Sequence, residues 1–215
     1  MKIVSVILAR GGSKEIPRKN IIKLGGQPLI NWTINSSKMS NVHETWVSTD
    51  DQEIADISNQ AGAKVLKRPS NLATDTSPSE EALLHFADNV GFDMLVFIQP
   101  TSPLLWPQDI NKGIKMMDSY SSVFSAYKEH WCPRWSMKSN PIDWDIFNRP
   151  RRQDVDETYV ENGAFYITTR KNLLKSKLRY SDNIGIIEMP LWRSFQIDSQ
   201  NDLELIEKIT QHIIR

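Results

Sequence analysis

The sequence has a single cysteine, Cys132, which excludes an intrachain disulfide and a cysteine-rich metal site. In the setting "EHWCPRW" it reads as a small packing residue, with a thiolate assisted by His130 as the reactive alternative. No apolar run approaches the roughly 18 to 20 residues that a membrane-spanning helix needs, and the run from Ile3 to Leu8 is too short for the core of a signal peptide. The expectation is a cytoplasmic protein with no membrane partner. Neither sign of charge is in excess: 26 Lys and Arg balance 26 Asp and Glu, which argues against a nucleic-acid binder relying on an overall basic surface. Any anion site must therefore be local. A Walker A loop and a GxGxxG fingerprint are also lacking, which removes the P-loop class and the NAD-dependent oxidoreductases.

What is present is an ordinary folded composition, 40% hydrophobic and 24% charged, in which disorder and a fibrous fold are both unexpected. The length of 215 residues suits one α/β domain over the whole chain with a small appendage. Short β-branched runs at Ile3 to Leu8, Thr45 to Ser48 and Lys64 to Leu66 alternate with helical patterns at Leu29 to Met39 and Asp51 to Ala61. That alternation predicts parallel strands joined by crossover helices. A further helix over Ser79 to Val90 leads to "DMLVFIQP", an uninterrupted apolar strand of the kind buried on both faces. Pro107 suits the first turn of a helix reaching Asp118, and "SSVFSAY", "NGAFYIT" and "NIGIIEM" read as later strands. Leu203, Ile206, Ile209 and Ile213 form the apolar stripe of a last helix.

Between about residues 128 and 160 this regularity fails. Prolines and tryptophans interrupt every period, and "NRPRRQDVDE" carries dense mixed charge. Trp131, Trp135 and Trp144 fall here, either as part of an interface, which would make the segment a dimerisation arm, or as a small core beneath a long loop.

The first strand ends in "ARGGSKEIPRKN", where Arg10, Lys14, Arg18 and Lys19 crowd beside two glycines. The loop after the first strand of an open α/β sheet is the usual phosphate site. Gly11 and Gly12 would let the backbone approach a ligand, and Arg10, Lys14 and Lys19 offer charge-assisted hydrogen bonds, so the pattern fits a polyphosphate. "QPTSP", at the carboxyl end of the apolar strand, places Gln99 as either a sugar contact or a polar strand cap.

Taken in order, "ILARGGSKEIPRKN", "VSTDDQEIA", "RPSNLATDTSPS", "FIQPTSPL", "RPRRQD", "ENGAFYI" and "IDSQNDLELIE" resemble the acylneuraminate cytidylyltransferase (CMP-sialic acid synthetase) family across nearly the whole chain. The resemblance implies a Rossmann-like three-layer α/β/α nucleotidyltransferase with a mainly parallel sheet and a dimerisation excursion. It implies transfer of CMP from CTP to the anomeric hydroxyl of a nonulosonic acid, with Mg²⁺ assistance and homodimerisation. By similarity, Arg10, Gly11, Gly12, Ser13, Lys19, Asn20, Arg68 and Ser79 would form the nucleotide site. Gln99, Arg134, Arg151, Arg152, Asn162 and Tyr166 would contact the sugar, the arginines from a partner subunit; their alternative is a surface salt-bridge cluster with Asp154 and Asp156. Asp198 would hold the metal, making Arg10, Lys19 and Asp198 the catalytic set; Asp198 otherwise reads as a helix cap.

Three positions depart from the family pattern. Glu15 replaces a glycine and brings an anion to a phosphate site, Val160 replaces an arginine, and Gln196 replaces the first aspartate of a D-x-D pair. Two alternatives stay open beside the main reading: a CMP-Kdo synthetase, and a nucleotide-binding homologue that has lost turnover.

Overall fold

The computed structural model describes residues 1–213, with the side chain of Ile213 outside the described residues. Its order is β1 (Ile3–Leu8), β2 (Lys23–Leu24), β3 (Gln27–Pro28), α1 (Leu29–Lys38), β4 (Glu44–Thr49), α2 (Gln52–Gln60), β5 (Lys64–Lys67) and α3 (Ser79–Asn89). There follow β6 (Met94–Ile98), α4 (Pro107–Met116), β7 (Ser122–Glu129), β8 (Arg134–Trp135), β9 (Pro141–Ile142), β10 (Thr158–Thr169), α5 (Arg170–Ser176), β11 (Ile184–Glu188) and α6 (Gln200–Ile213).

Seven strands form one sheet in the order β11-β7-β10-β6-β1-β4-β5. The apolar run Met94–Ile98 is buried at every position and occupies the middle, as an unbroken hydrophobic strand requires. All neighbours pair in parallel except β10, which runs antiparallel to both β6 and β7. Alternate residues of β1 serve opposite faces. Ile3 and Ile7 pack with Ile30, Ile34, Ile54 and Ile110 from α1, α2 and α4, whereas Val4 and Val6 pack with Leu83, Phe86 and Leu173 from α3 and α5. The result is a three-layer α/β/α arrangement.

Helix starts follow local chemistry. The Asp51 carboxylate accepts the Ile54 N–H at 3.0 Å to cap α2, and Pro107 fills the first turn of α4. At α6, Ser199 and Asp202 satisfy each other's backbone N–H groups, at 2.7 and 3.3 Å, so the cap is this pair and not Asp198. Leu203 and Ile206 of α6 close over Ile16, Leu24, Leu29 and Leu104, tying the chain's last helix to the loop that follows β1. No helix is long and apolar enough to cross a membrane among the described residues.

The irregular segment is the far end of the long β7–β10 hairpin. Thr158 pairs with Glu129, and beyond them lie the small β8–β9 hairpin, an isolated bridge between Asp145 and Asn148, a 3₁₀ turn at Arg152–Asp154 and loops. Trp135 and Trp144 meet edge to face at 5.0 Å, yet Met137, Ile146 and Phe147 stay exposed. Cys132 is also exposed, which corrects its reading as a packing residue.

Candidate active site

A cleft of about 560 Å³ opens beyond the carboxyl ends of β1 and β6. The chain leaves β1 toward β4 on one side while β6 lies on the other, so this is the switch point where open α/β sheets bind ligands. The cleft is lined by Arg10, Ser13, Lys14, Glu15, Lys19 and Asn20 from the first loop and by Arg68 after β5. The loop from Leu72 to Pro78, Ser79 at the start of α3, Phe97 and Gln99 at the end of β6, and Asp198 complete it.

Arg68 is the outlying group. It is 5% exposed, and its Nε and Nη2 have no hydrogen-bond partner among the described residues. Burial pulls its pKa below the ordinary arginine value, although Asp50 acts in the opposite direction. A guanidinium remains charged in such a setting, so an unpartnered one on a cleft wall has the chemistry to take an anion. Nothing in "KRPSN" distinguishes Arg68 from a surface arginine.

The remaining cleft cations are neutralised by the chain's own carboxylates. Asp75 accepts from Arg10 at 2.7 Å and pairs with Lys14 at 2.9 Å, and these two partners, Lys14 first, hold its carboxyl below the usual range. Lys19, whose side chain is 18% exposed, reaches Asp198 at 2.8 Å. Close-packed positive charge is thus tolerated because Asp75 and Asp198 pair with it. Asp75 had no role assigned from sequence, and the signal for it was the "TDTS" loop. Asn20 is buried and donates from Nδ2 to the Arg10 carbonyl at 2.9 Å, which holds the loop's shape from within.

Arg18 belongs elsewhere. It pairs with Asp51 and Glu53 on α2 and does not face the cleft. Its bridge also explains Gly11: a Cβ there would lie 2.7 Å from the Asp51 Oδ2, and the Gly11 N–H is already donated to Asp50 at 3.0 Å. Gly11 and Gly12 do not line the cleft. Glu15 does line it, exposed and with no ion pair among the described residues, and its φ is not positive, so glycine is not sterically required there.

The sugar-contact candidates are scattered. Gln99 faces the cleft. Asn162 is buried in the β10 bulge, where its Oδ1 accepts from Ser125 Oγ at 2.6 Å and the Ala164 N–H at 3.1 Å, and its Nδ2 donates to Ser194 at 2.9 Å. It is committed to holding the bulge. Tyr166 lies behind Phe97, stacked at 5.4 Å, with its hydroxyl donated to Glu161. Arg134 pairs with Glu129, Arg151 with Asp154, and Arg152 with His130, all in the irregular segment and none lining the cleft of this chain.

Gln196, the residue in place of a first aspartate, is not a vacant metal position. Its Nε2 donates to the Asn162 carbonyl at 2.6 Å and reaches Gln99 Oε1 and Ser102 Oγ at 3.3 Å. Gly163, at φ 69°, leaves room for this amide, which a Cβ there would meet. Asp198 remains the open carboxylate, 61% exposed at its side chain. No group of three or more His, Cys, Asp or Glu is placed to cage a metal among the described residues. One carboxylate beside an anion cradle fits a hard cation that completes its shell with phosphate and water oxygens.

The family model described as cytidylyltransferase matches residues 4–214. The chain belongs to this family. It is 40% identical over 182 residues to an N-acylneuraminate cytidylyltransferase of Oncorhynchus mykiss, covering 80% of this chain and 42% of that protein. It is 34% identical over 230 residues to a CMP-N,N'-diacetyllegionaminic acid synthase of Legionella pneumophila, covering 98% and 97%. The chain therefore spans under half of the first relative and nearly all of the second. Among solved structures, a CMP:2-keto-3-deoxy-manno-octonic acid synthetase complexed with CTP superposes with TM-score 0.76 at 19% identity, covering 99% of this chain and 100% of that one. At that identity the likeness shows the fold alone, which is the Rossmann-like nucleotidyltransferase arrangement.

Proposed function

We propose that this chain transfers the cytidylyl group of CTP to the anomeric hydroxyl of a nonulosonic acid, releasing pyrophosphate. The observation that carries the reading is Arg68, a desolvated and unpartnered guanidinium in a cleft of a cytidylyltransferase-family protein. Arg68 and Ser79 flank the nucleotide, and Arg10 and Lys19 exchange their carboxylate partners for oxygens of the triphosphate. The sugar hydroxyl attacks the α-phosphorus while the bond to pyrophosphate breaks, so the protein's work is to align the reactants and offset the charge on the leaving group. Bound Mg²⁺ would share that offset across phosphate oxygens, and Asp198 is the carboxylate available to hold it. Gln99 is the group at hand for a sugar hydroxyl.

The acid class rests on the relatives, whose names specify N-acylneuraminate and diacetyllegionaminic acid. In this reading the chain works as a homodimer in the cytoplasm, with the segment at about 128–160 as the dimerisation arm. The exposed apolar groups Met137, Ile146 and Phe147 support that role, and Arg134, Arg151 and Arg152 would act in the partner's cleft. The test is pyrophosphate release with CTP, Mg²⁺ and a panel of nine-carbon 2-keto acids, with the eight-carbon Kdo as a comparison. Release with nine-carbon acids is expected; none with any acid would overturn the proposal, and faster release with Kdo would reassign the substrate.

A further inference from the structure

Gln99, directly after β6, lines the cleft, and its backbone is fixed on both sides. Its N–H donates to the Ala164 carbonyl at 3.1 Å, and its carbonyl accepts from the Ser102 N–H at 3.3 Å. What the side chain offers a ligand depends on which end of its amide faces out, because the oxygen only accepts and the NH₂ only donates. Gln196 makes that choice.

Gln196 lies in the segment leading to α6, which is held against the loop after β6: the Ile197 N–H donates to the Thr101 carbonyl at 2.9 Å, and Ile197 is fully buried. Nε2 of Gln196 lies 2.6 Å from the Asn162 carbonyl oxygen, a group that can only accept, so nitrogen and not oxygen belongs at that end of the Gln196 amide. The same nitrogen reaches Gln99 at 3.3 Å, and the atom that Gln99 turns toward it is therefore its oxygen. Gln99 Nε2 is left pointing away from this contact. It has no hydrogen-bond partner among the described residues and is not one of the buried atoms lacking a partner, so it is open at the cleft wall. The packing behind the pair is close: a Cβ on Gly163 would collide with Gln196 Nε2 and come within 3.3 Å of Gln99 Oε1. A carboxylate at position 196 would reverse the choice, accepting from Gln99 Nε2 and turning Oε1 outward.

We propose that Gln196 is a positioning residue that fixes the Gln99 amide as a hydrogen-bond donor in the cleft, where it meets an oxygen acceptor of the acid sugar. Gln99 touches the substrate, and Gln196 acts through it. The inference rests on the cytidylyltransfer reading above and deepens it by assigning the polarity of one sugar contact and the residue that sets it.

The experiment is a double-mutant cycle on Q99A and Q196M, with KM measured separately for a nonulosonic acid and for CTP at saturating Mg²⁺. Q99A should raise the acid KM about tenfold, the worth of one hydrogen bond. Q196M, which keeps the length of the side chain and removes its donor, should raise it about fivefold, and the double variant should match Q99A within about twofold because the two residues act as one unit. The KM for CTP should stay within about twofold of wild type throughout. Q196E accepts only, so it should raise the acid KM at least as far as Q196M, and again have no further effect once Gln99 is gone. Calorimetric CTP binding reports on the fold of each variant; if Q196M does not fold, the cycle with Q196E decides alone. A double variant at the product of the two single effects would show that Gln196 serves only the fold of the β10 bulge, and an acid KM unchanged in Q99A would show that Gln99 meets no substrate. Either would overturn this inference while leaving the cytidylyltransfer reading intact. Absence of turnover in the wild type would overturn both.

Discussion

Arg68 and Arg151 show two ways for this chain to place a guanidinium. Arg68 is 5% exposed with two nitrogens unpartnered, whereas the Arg151 side chain is 73% exposed and folds back onto Asp154 three residues along. Arg151 can satisfy itself in water at almost no cost, and such pairs contribute about 0 to 1 kcal/mol. Arg68 carries a desolvation cost that the charge of Asp50 offsets in part, with no hydrogen-bond partner for its Nε or Nη2 among the described residues. Counting basic residues would rank "RPRR" above "KRP"; the difference in solvation reverses that order for a single chain.

Substitutions can break the comparison in descending order of effect. A third arginine, Arg193, is buried like Arg68 but paired with Asp109 and covered by Trp106 at 4.2 Å. Asp109→Ala leaves that charge alone and should cost about 3 to 5 kcal/mol of stability, read as the midpoint of urea unfolding. Arg68→Met should raise the KM for CTP about a hundredfold, equivalent to about 2.7 kcal/mol, while raising the thermal midpoint because an unpaired buried charge is gone. A loss of stability in Arg68→Met would show that the group serves the fold.

Tyr166 lies at the boundary between cleft wall and hairpin. Burial first, then its bond to Glu161, pushes its phenol up to about 12. The ordinary tyrosine value is about 10. A raised folded-state value means this contribution is intact below about pH 10 and is lost as pH climbs through 12. Tyr166→Phe should therefore cost about 1 kcal/mol at neutral pH, from the lost hydrogen bond, and flatten the alkaline fall in stability measured by unfolding at successive pH values. The smallest effect belongs to Arg151→Ala, which should change the stability of the isolated subunit by less than about 0.5 kcal/mol. If its turnover nevertheless drops, the arginine acts in a partner's cleft.

The parts of the fold that could be read from the sequence are those dictated locally. The central strand Met94–Ile98 announces itself by five apolar residues in succession, and α2 by Asp51 ahead of an amphipathic run. The direction of β10 could not be read, since strand polarity depends on a connection through the long excursion and not on "NGAFYIT" itself. Helix α5 was missed because seven residues with only Leu173 buried leave no period to detect. In the site, the first-loop cations and Asp198 were legible as a motif. The burial of Arg68 and the clamp that Gln196 forms on Gln99, 97 residues away, were not, because each depends on elements brought together by the sheet.

The reaction proposed for this cleft is transfer of a cytidylyl group onto an acid sugar. The most direct measurement follows CTP labelled at the α-phosphate through a reaction with Mg²⁺ and a nonulosonic acid. The label should appear in a CMP-sugar while unlabelled pyrophosphate is released in equal amount, and Arg68→Met should lose both together. Label that stays in CTP with every acid, despite tight CTP binding, would contradict it.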